Sequence, residues 1–280
     1  MQILPFPGFG LCVAAMFLAV LGGGGPAVAA FSDWSEGPNV RARLIATTPG
    51  ADNGPNAALE LELAPGWKTY WRSPGDAGIP PAFDFAGSTN LKAVTIGYPP
   101  PERVDDGYAV SNVYAGRIVL PLTVEPLEAG KPVALTMKVD LGVCEEVCIP
   151  VTLETAVSLV PGNEDGEAAD LLAAAVRALP APPLAGIFDI TGLRRAGGDD
   201  DEPVFEFRAT VPDPARTEVF IEGPADWYPD VPKPVSGEGN AVTYRVSFDR
   251  LGAKTPIAKA ELRFTVVSGD RAMEATVRLD

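Results

Sequence analysis

Apolar and polar residues alternate with a period of two in residues 40–45, 59–63, 118–124, 133–139 and 151–157. The same alternation returns in 204–209, 218–221, 242–248, 260–267 and 273–279. Successive side chains of a strand point to opposite faces, so each run predicts a strand with one buried and one solvated face. Clusters of Pro, Gly and Asn separate the runs and no helical pattern alternates with them, which predicts antiparallel sandwiches. A single helix is predicted over 167–179, where Leu172, Val176 and Leu179 recur at i, i+4 and i+7 behind an acidic start. Pro180-Ala181-Pro182-Pro183 then stops it and forms a stiff connector. The expected fold class is therefore all-β: two tandem immunoglobulin-like β-sandwich domains, over 31–161 and 184–280, joined by a short helix and Pro-rich linker over 162–183.

Ahead of the first strand lies an apolar run, 11–21, followed by four glycines and Pro26-Ala27-Val28-Ala29-Ala30. Small residues at this spacing suit signal peptidase, so residues 1–30 are expected to be a signal peptide and the mature chain to start at Ala30 or Phe31, without Cys12. The first ten residues hold no Lys or Arg. A membrane anchor is the alternative, but the run is short of the roughly 20 apolar residues that a spanning helix needs, and no later segment reaches that length. The expected protein is exported, periplasmic and soluble rather than integral to a membrane, in a compartment that permits disulfides.

Composition narrows the chemistry. The 29 Pro and 29 Gly fit many turns between short strands. A net charge of −15 repels phosphate backbones, so nucleic acid is discarded as a partner. The chain has no histidine. That removes Ser-His-Asp and Cys-His nucleophiles and the usual zinc and copper(II) ligands. No cofactor and no resident metal are expected, and the remaining chemistry must come from thiols, carboxylates, lysines or aromatic rings.

Cys144-Glu145-Glu146-Val147-Cys148-Ile149-Pro150 holds the two cysteines that remain after the leader. Three readings stand beside one another: a redox-active disulfide, a purely structural local disulfide, and copper(I) held by two thiolates with Met137 as a thioether. Closing a loop of about five residues stabilises by only ~2 kcal/mol, against ~3 for a loop of about fifteen, so the pair is poorly placed as a staple. Glu145 and Glu146 disfavour the thiolate, which leaves the free thiols poor random nucleophiles and makes attack by a partner thiolate the main route. Proline at position 150 is expected to keep the Cys148 side from pairing fully into a sheet, making Cys148 the more approachable sulfur.

Two blocks carry a family resemblance. Residues 108–150, with Val113-Tyr114 ahead of the 118–124 strand and Val139-Asp140-Leu141-Gly142-Val143 leading into the cysteine pair, resemble the periplasmic N-terminal domain of the DsbD and ScsB disulfide-reductase family. Trp67-Lys68-Thr69-Tyr70-Trp71-Arg72-Ser73-Pro74-Gly75-Asp76-Ala77-Gly78 resembles the second block of the ScsB-like branch, and the blocks come in the expected order. The resemblance implies a protein-disulfide reductase component. Its Cys144 and Cys148 would receive electrons from a separate membrane-embedded or thioredoxin-like thiol donor and pass them to periplasmic thioredoxin-fold proteins, with Cys148 bonding to the partner.

The same resemblance maps a shielding cap loop to Asp105, Asp106, Gly107 and Tyr108, and places Tyr70 and Trp71 in the surround of the site. At least one of Trp67 and Trp71 is also expected to be core packing. Ser73-Pro74-Gly75-Asp76 reads as a turn, and Asp199-Asp200-Asp201-Glu202 as an exposed hairpin tip. Two departures stand out: the three-residue spacer between the cysteines is shorter than in DsbD itself, and no membrane domain follows Asp280. The second domain, without a cysteine or reactive cluster, is expected to scaffold or dock.

Overall fold

A computed structural model describes residues 1–2, 29–48 and 54–279. The apolar leader and Cys12 lie outside the described residues. Eleven strands build the first half: β1 (Ser35–Gly37), β2 (Val40–Ala46), β3 (Ala57–Leu63), β4 (Lys68–Gly75), β5 (Ala82–Asp84), β6 (Leu91–Ile96), β7 (Glu102–Asp105), β8 (Val110–Ala115), β9 (Arg117–Pro126), β10 (Val133–Cys144) and β11 (Cys148–Leu159). One sheet runs β1-β2-β3-β9-β6 and the other β11-β10-β4-β8-β7, with β5 also on β10.

The period-two pattern is what closes the two sheets on each other. Along β10, Val133, Leu135, Met137, Val139, Leu141 and Val143 are buried, while Ala134, Lys138 and Asp140 between them are exposed. They meet Leu44, Leu59, Leu61, Leu120 and Leu122 of the facing sheet in one core. Met137 is fully buried there, which withdraws the thioether from the copper(I) reading. Glu60 of β3, 1% exposed, is paired by Arg43 of β2 at 2.7 Å and by Arg117 of β9 at 2.5 Å, so its charge is compensated where it is buried.

Helix α1 (Gly166–Arg177) is capped by Asp165, whose side chain accepts from the Ala168 N–H. Its buried face is Ala168, Leu172 and Ala175, so of the predicted stripe Leu172 is buried, while Val176 faces outward and Leu179 is half-buried; small alanines let the helix sit close to Ile45 and Ala58. The second half holds β12 (Asp189–Gly197), β13 (Val204–Thr210), β14 (Thr217–Glu222), β15 (Tyr228–Pro229), β16 (Lys233–Glu238), β17 (Ala241–Asp249), β18 (Glu261–Ser268) and β19 (Arg271–Arg278). A β12-β13-β17-β15 sheet, with β16 on β17, faces a β14-β18-β19 sheet across Phe205, Phe207, Phe248, Leu262 and Phe264. The fold is all-β, with two sandwiches in tandem.

The sandwiches meet along β4 and β7. Phe220 of β14 is 2% exposed and belongs to the core of the first sandwich, with its ring edge-on to Trp71 at 5.8 Å.

Candidate redox site

β10 and β11 form a long hairpin whose ladder runs from Val133↔Leu159 to Cys144↔Cys148. The cysteines are the last opposed pair before the three-residue turn, with Cα atoms 4.1 Å apart, and they are joined as a disulfide. Inside the turn the Glu145 N–H donates to the Val147 carbonyl at 3.2 Å. The two sulfurs belong to unlike residues. Cys144 is 2% exposed, because β10 is flanked on its other side by β4, where Cys144 opposes Lys68. Cys148 is exposed, because β11 is the edge of the sheet.

The reason for that exposure differs from the sequence expectation. The ladder passes through Pro150, opposite Gly142, and reaches Cys148 intact. Proline is accommodated because an edge strand has one side without a ladder partner, where a missing N–H leaves nothing unsatisfied.

Tyr70 of β4 is the residue closest in chemistry to the pair. Its hydroxyl oxygen lies 3.3 Å from the Cys144 Sγ and 3.3 Å from the Cys148 Sγ. A disulfide sulfur carries no hydrogen, so the phenol is the donor, to one sulfur or the other. Tyr70 is 9% exposed and shares a small apolar cluster with Cys144, Val113 and Val104. Burial, and secondarily the negative charge of Asp106, pushes its pKa above the usual tyrosine value and keeps the proton in place.

The ring has room because two neighbours lack side chains. A Cβ on Gly78 would come within 2.6 Å of it and one on Gly142 within 3.2 Å. The Thr69 hydroxyl donates to the Gly142 carbonyl at 2.9 Å and ties β4 to β10 beside the pair.

Trp71 is corrected by the same alternation that places Tyr70. Its indole points to the opposite face of β4, is 1% exposed, and packs in the core rather than around the disulfide. Trp67 also packs, partly buried, on that core. The expected 73–76 turn is largely strand, since β4 runs to Gly75; Asp76 follows, its carboxylate accepting from the Val110 N–H at 3.0 Å.

The expected cap residues occupy the tip of the β7–β8 hairpin. Asp106 accepts from the N–H groups of Tyr108 (2.9 Å) and Ala109 (3.0 Å), and Asp105 accepts from Gly107 at 2.8 Å. The Ala109 and Tyr108 donors, with Lys68 nearby, hold the Asp106 carboxyl below its usual pKa. Tyr108 is fully exposed, so its ring covers nothing in this structure; it is Val104, further down the hairpin, that reaches the Tyr70–Cys144 cluster. Val147, next to Cys148 in the turn, is 66% exposed, and Ile79, near Gly142, is 62% exposed. Among the described residues no group of three or more His, Cys, Asp or Glu could hold a metal ion.

Sequence reasoning did not single out Val104 or Ile79, and read Val113, Gly78 and Gly142 only as parts of blocks. A glycine inside a strand pattern marks close approach of another group, and Gly142 was legible on that ground.

An edge-exposed disulfide backed by a buried phenol leaves one sulfur open to attack by a thiolate. Residues 40–159 match the N-terminal family of the thiol:disulfide interchange protein DsbD. The match begins at β2 and ends with β11, and so contains the whole site. A solved structure, the N-terminal periplasmic domain of ScsB from Proteus mirabilis, has the same fold over both sandwiches: TM-score 0.69 at 20% identity, with 89% of this chain and 98% of that one covered. A search of curated proteins finds no match. No helix among the described residues is long and apolar enough to cross a membrane.

Proposed function

We propose that this protein is a periplasmic thiol–disulfide interchange protein that takes two electrons from a thiol donor and passes them to thioredoxin-fold proteins through Cys144 and Cys148. The observation that carries the reading is the asymmetry of the pair: one cysteine exposed at a sheet edge, the other buried under a tyrosine hydroxyl. In the charging step a donor thiolate attacks the Cys148 sulfur, the Cys144–Cys148 bond breaks, and the Cys144 thiolate leaves. Tyr70 donates a hydrogen bond to that departing anion in a site where little water can. The donor's second thiolate then attacks its own sulfur in the mixed disulfide, releasing Cys148; two electrons and two protons have moved onto this protein.

In the delivery step the Cys148 thiolate attacks the partner's disulfide, and Cys144 resolves the mixed disulfide, so the partner leaves as a dithiol. The surface that donor and acceptor share includes the exposed Val147 beside Cys148. Residues 1–30 are removed on export, 31–161 form the redox domain, 162–183 the connector and 184–280 the second domain.

Cys144→Ser removes the resolving thiol, so a mixed disulfide through Cys148 should accumulate with a purified periplasmic thioredoxin-fold protein and be identified by quenched mass spectrometry. Complexes formed only through Cys144 in the Cys148→Ser protein would reverse the roles. The reduction potential separates exchange from a staple: a value near those of exchange catalysts supports the reading, and one below about −300 mV counts against it.

A further inference from the structure

The second sandwich touches the first at a place that a mere scaffold has no reason to choose. Arg72, two residues beyond Tyr70 on β4, sends its guanidinium to Glu222 of β14, with Nε to the carboxylate at 3.0 Å and Nη2 at 2.7 Å, and also pairs with Glu274 of β19. It lies against the rings of Trp71 (4.6 Å) and Tyr98 (5.2 Å). Burial opposes its charge, but the two glutamates more than offset that and raise its pKa. On β7, Arg103 donates to the Val219 carbonyl at 2.7 Å and stacks on Phe220 at 4.4 Å. Its neighbour Val104 belongs to the Tyr70–Cys144 cluster. Residues 219–222 therefore grip β4 and β7, two of the three strands that present side chains to the Cys144 cluster, reaching across the third, β8, which lies between them.

The grip matters because β4 is poorly held by its own sheet at this point. Its pairing with β10 covers only Lys68 and Thr69, and its register with β8 breaks after Tyr70 and resumes at Gly75. Tyr70 is thus the last regularly paired residue before a gap. Within that gap the Asn112 amide donates to the Ser73 carbonyl at 2.9 Å, Trp71 is packed in the core, and Arg72 ties the strand to the second sandwich. A hydroxyl must stay within about 3.5 Å of a sulfur to act on it, and a strand free to shift by an ångström loses that contact.

We propose that the second domain is a clamp on the redox site, with Arg72, Glu222 and Phe220 as positioning residues that hold Tyr70 against the disulfide. The clamp rests on the interchange function proposed above and assigns the second domain a part in it.

The experiment is a double-mutant cycle on the full chain, reading the rate of disulfide reduction by dithiothreitol. Arg72→Met should slow reduction about fivefold in the wild-type background and by less than about twofold when Tyr70 is already Phe, because the lost contact is then absent in both. Arg72→Lys, which keeps the charge, should recover most of the rate. Equal losses in both backgrounds, or an unchanged rate in Arg72→Met, overturn the proposal. Should Arg72→Met not fold, Glu274→Gln carries the same cycle. Hydrogen exchange across 68–75 keeps the two readings apart: a wild-type disulfide inert to thiols removes the interchange function. In that event the grip itself is judged by whether Arg72→Met strips protection from β4.

Discussion

At the scale of single residues, the site turns on one hydroxyl that both sulfurs can reach. A hydrogen bond to a charged group contributes about 1.5–3 kcal/mol, so Tyr70→Phe, which keeps the ring and loses the donor, should slow thiol exchange by roughly tenfold or more while leaving the fold intact. Stopped-flow reduction at fixed pH measures it. The raised pKa of Tyr70 gives a sign as well. The folded state holds the proton more tightly than the unfolded chain, so the effect on stability is nil below the ordinary tyrosine pKa and becomes a loss as pH rises through about 10. Gly142→Ala and Gly78→Ala should slow exchange by displacing the ring, the second more strongly because its Cβ would meet the ring at 2.6 Å. Tyr108→Ala, by contrast, should leave the small-thiol rate unchanged, since that ring is fully exposed.

At the scale of elements, the hairpin explains why the disulfide can open while the fold stays intact. Cys144 and Cys148 terminate a ladder already held by the pairs from Val133↔Leu159 to Val143↔Ile149. Reduction should lower the stability of the first domain by no more than about 2 kcal/mol, measured as the shift in denaturant midpoint with and without reductant; cooperative unfolding in mild reductant would mark the bond as structural. Glu60→Gln tests a different tie, the pair of arginines from two neighbouring strands. Leaving Arg43 without its partner should cost about 2 kcal/mol, less than for a fully buried pair because Arg117 is half exposed. The long alternating strands were legible because each has one face in a core. β4, β7 and β8, which build the site, were not. They are short or irregular, and Trp71 and Tyr70, adjacent in sequence, serve opposite faces, so a shared aromatic block concealed two different jobs. The cysteine pair and Tyr70 could be found from sequence; Val104, Val113 and Phe220 arrive by long-range packing that no local pattern encodes.

At the scale of the whole molecule, the intact mass of exported protein should begin at Ala30 or Phe31; a retained leader would place an apolar segment just ahead of Ala30, which packs beside helix α1. The position of the cysteines in the ladder carries one more consequence. When the bond breaks, neither sulfur can drift away, because the strands that bear them stay zipped up to the turn. Each thiol therefore sees the other at a very high effective concentration, as in any reaction made intramolecular by a rigid frame. A partner caught on Cys148 is ejected by Cys144 almost as soon as it is captured. The intact protein should thus behave as a quick two-electron relay whose covalent complexes escape isolation, and a partner becomes visible only when its resolving neighbour is gone.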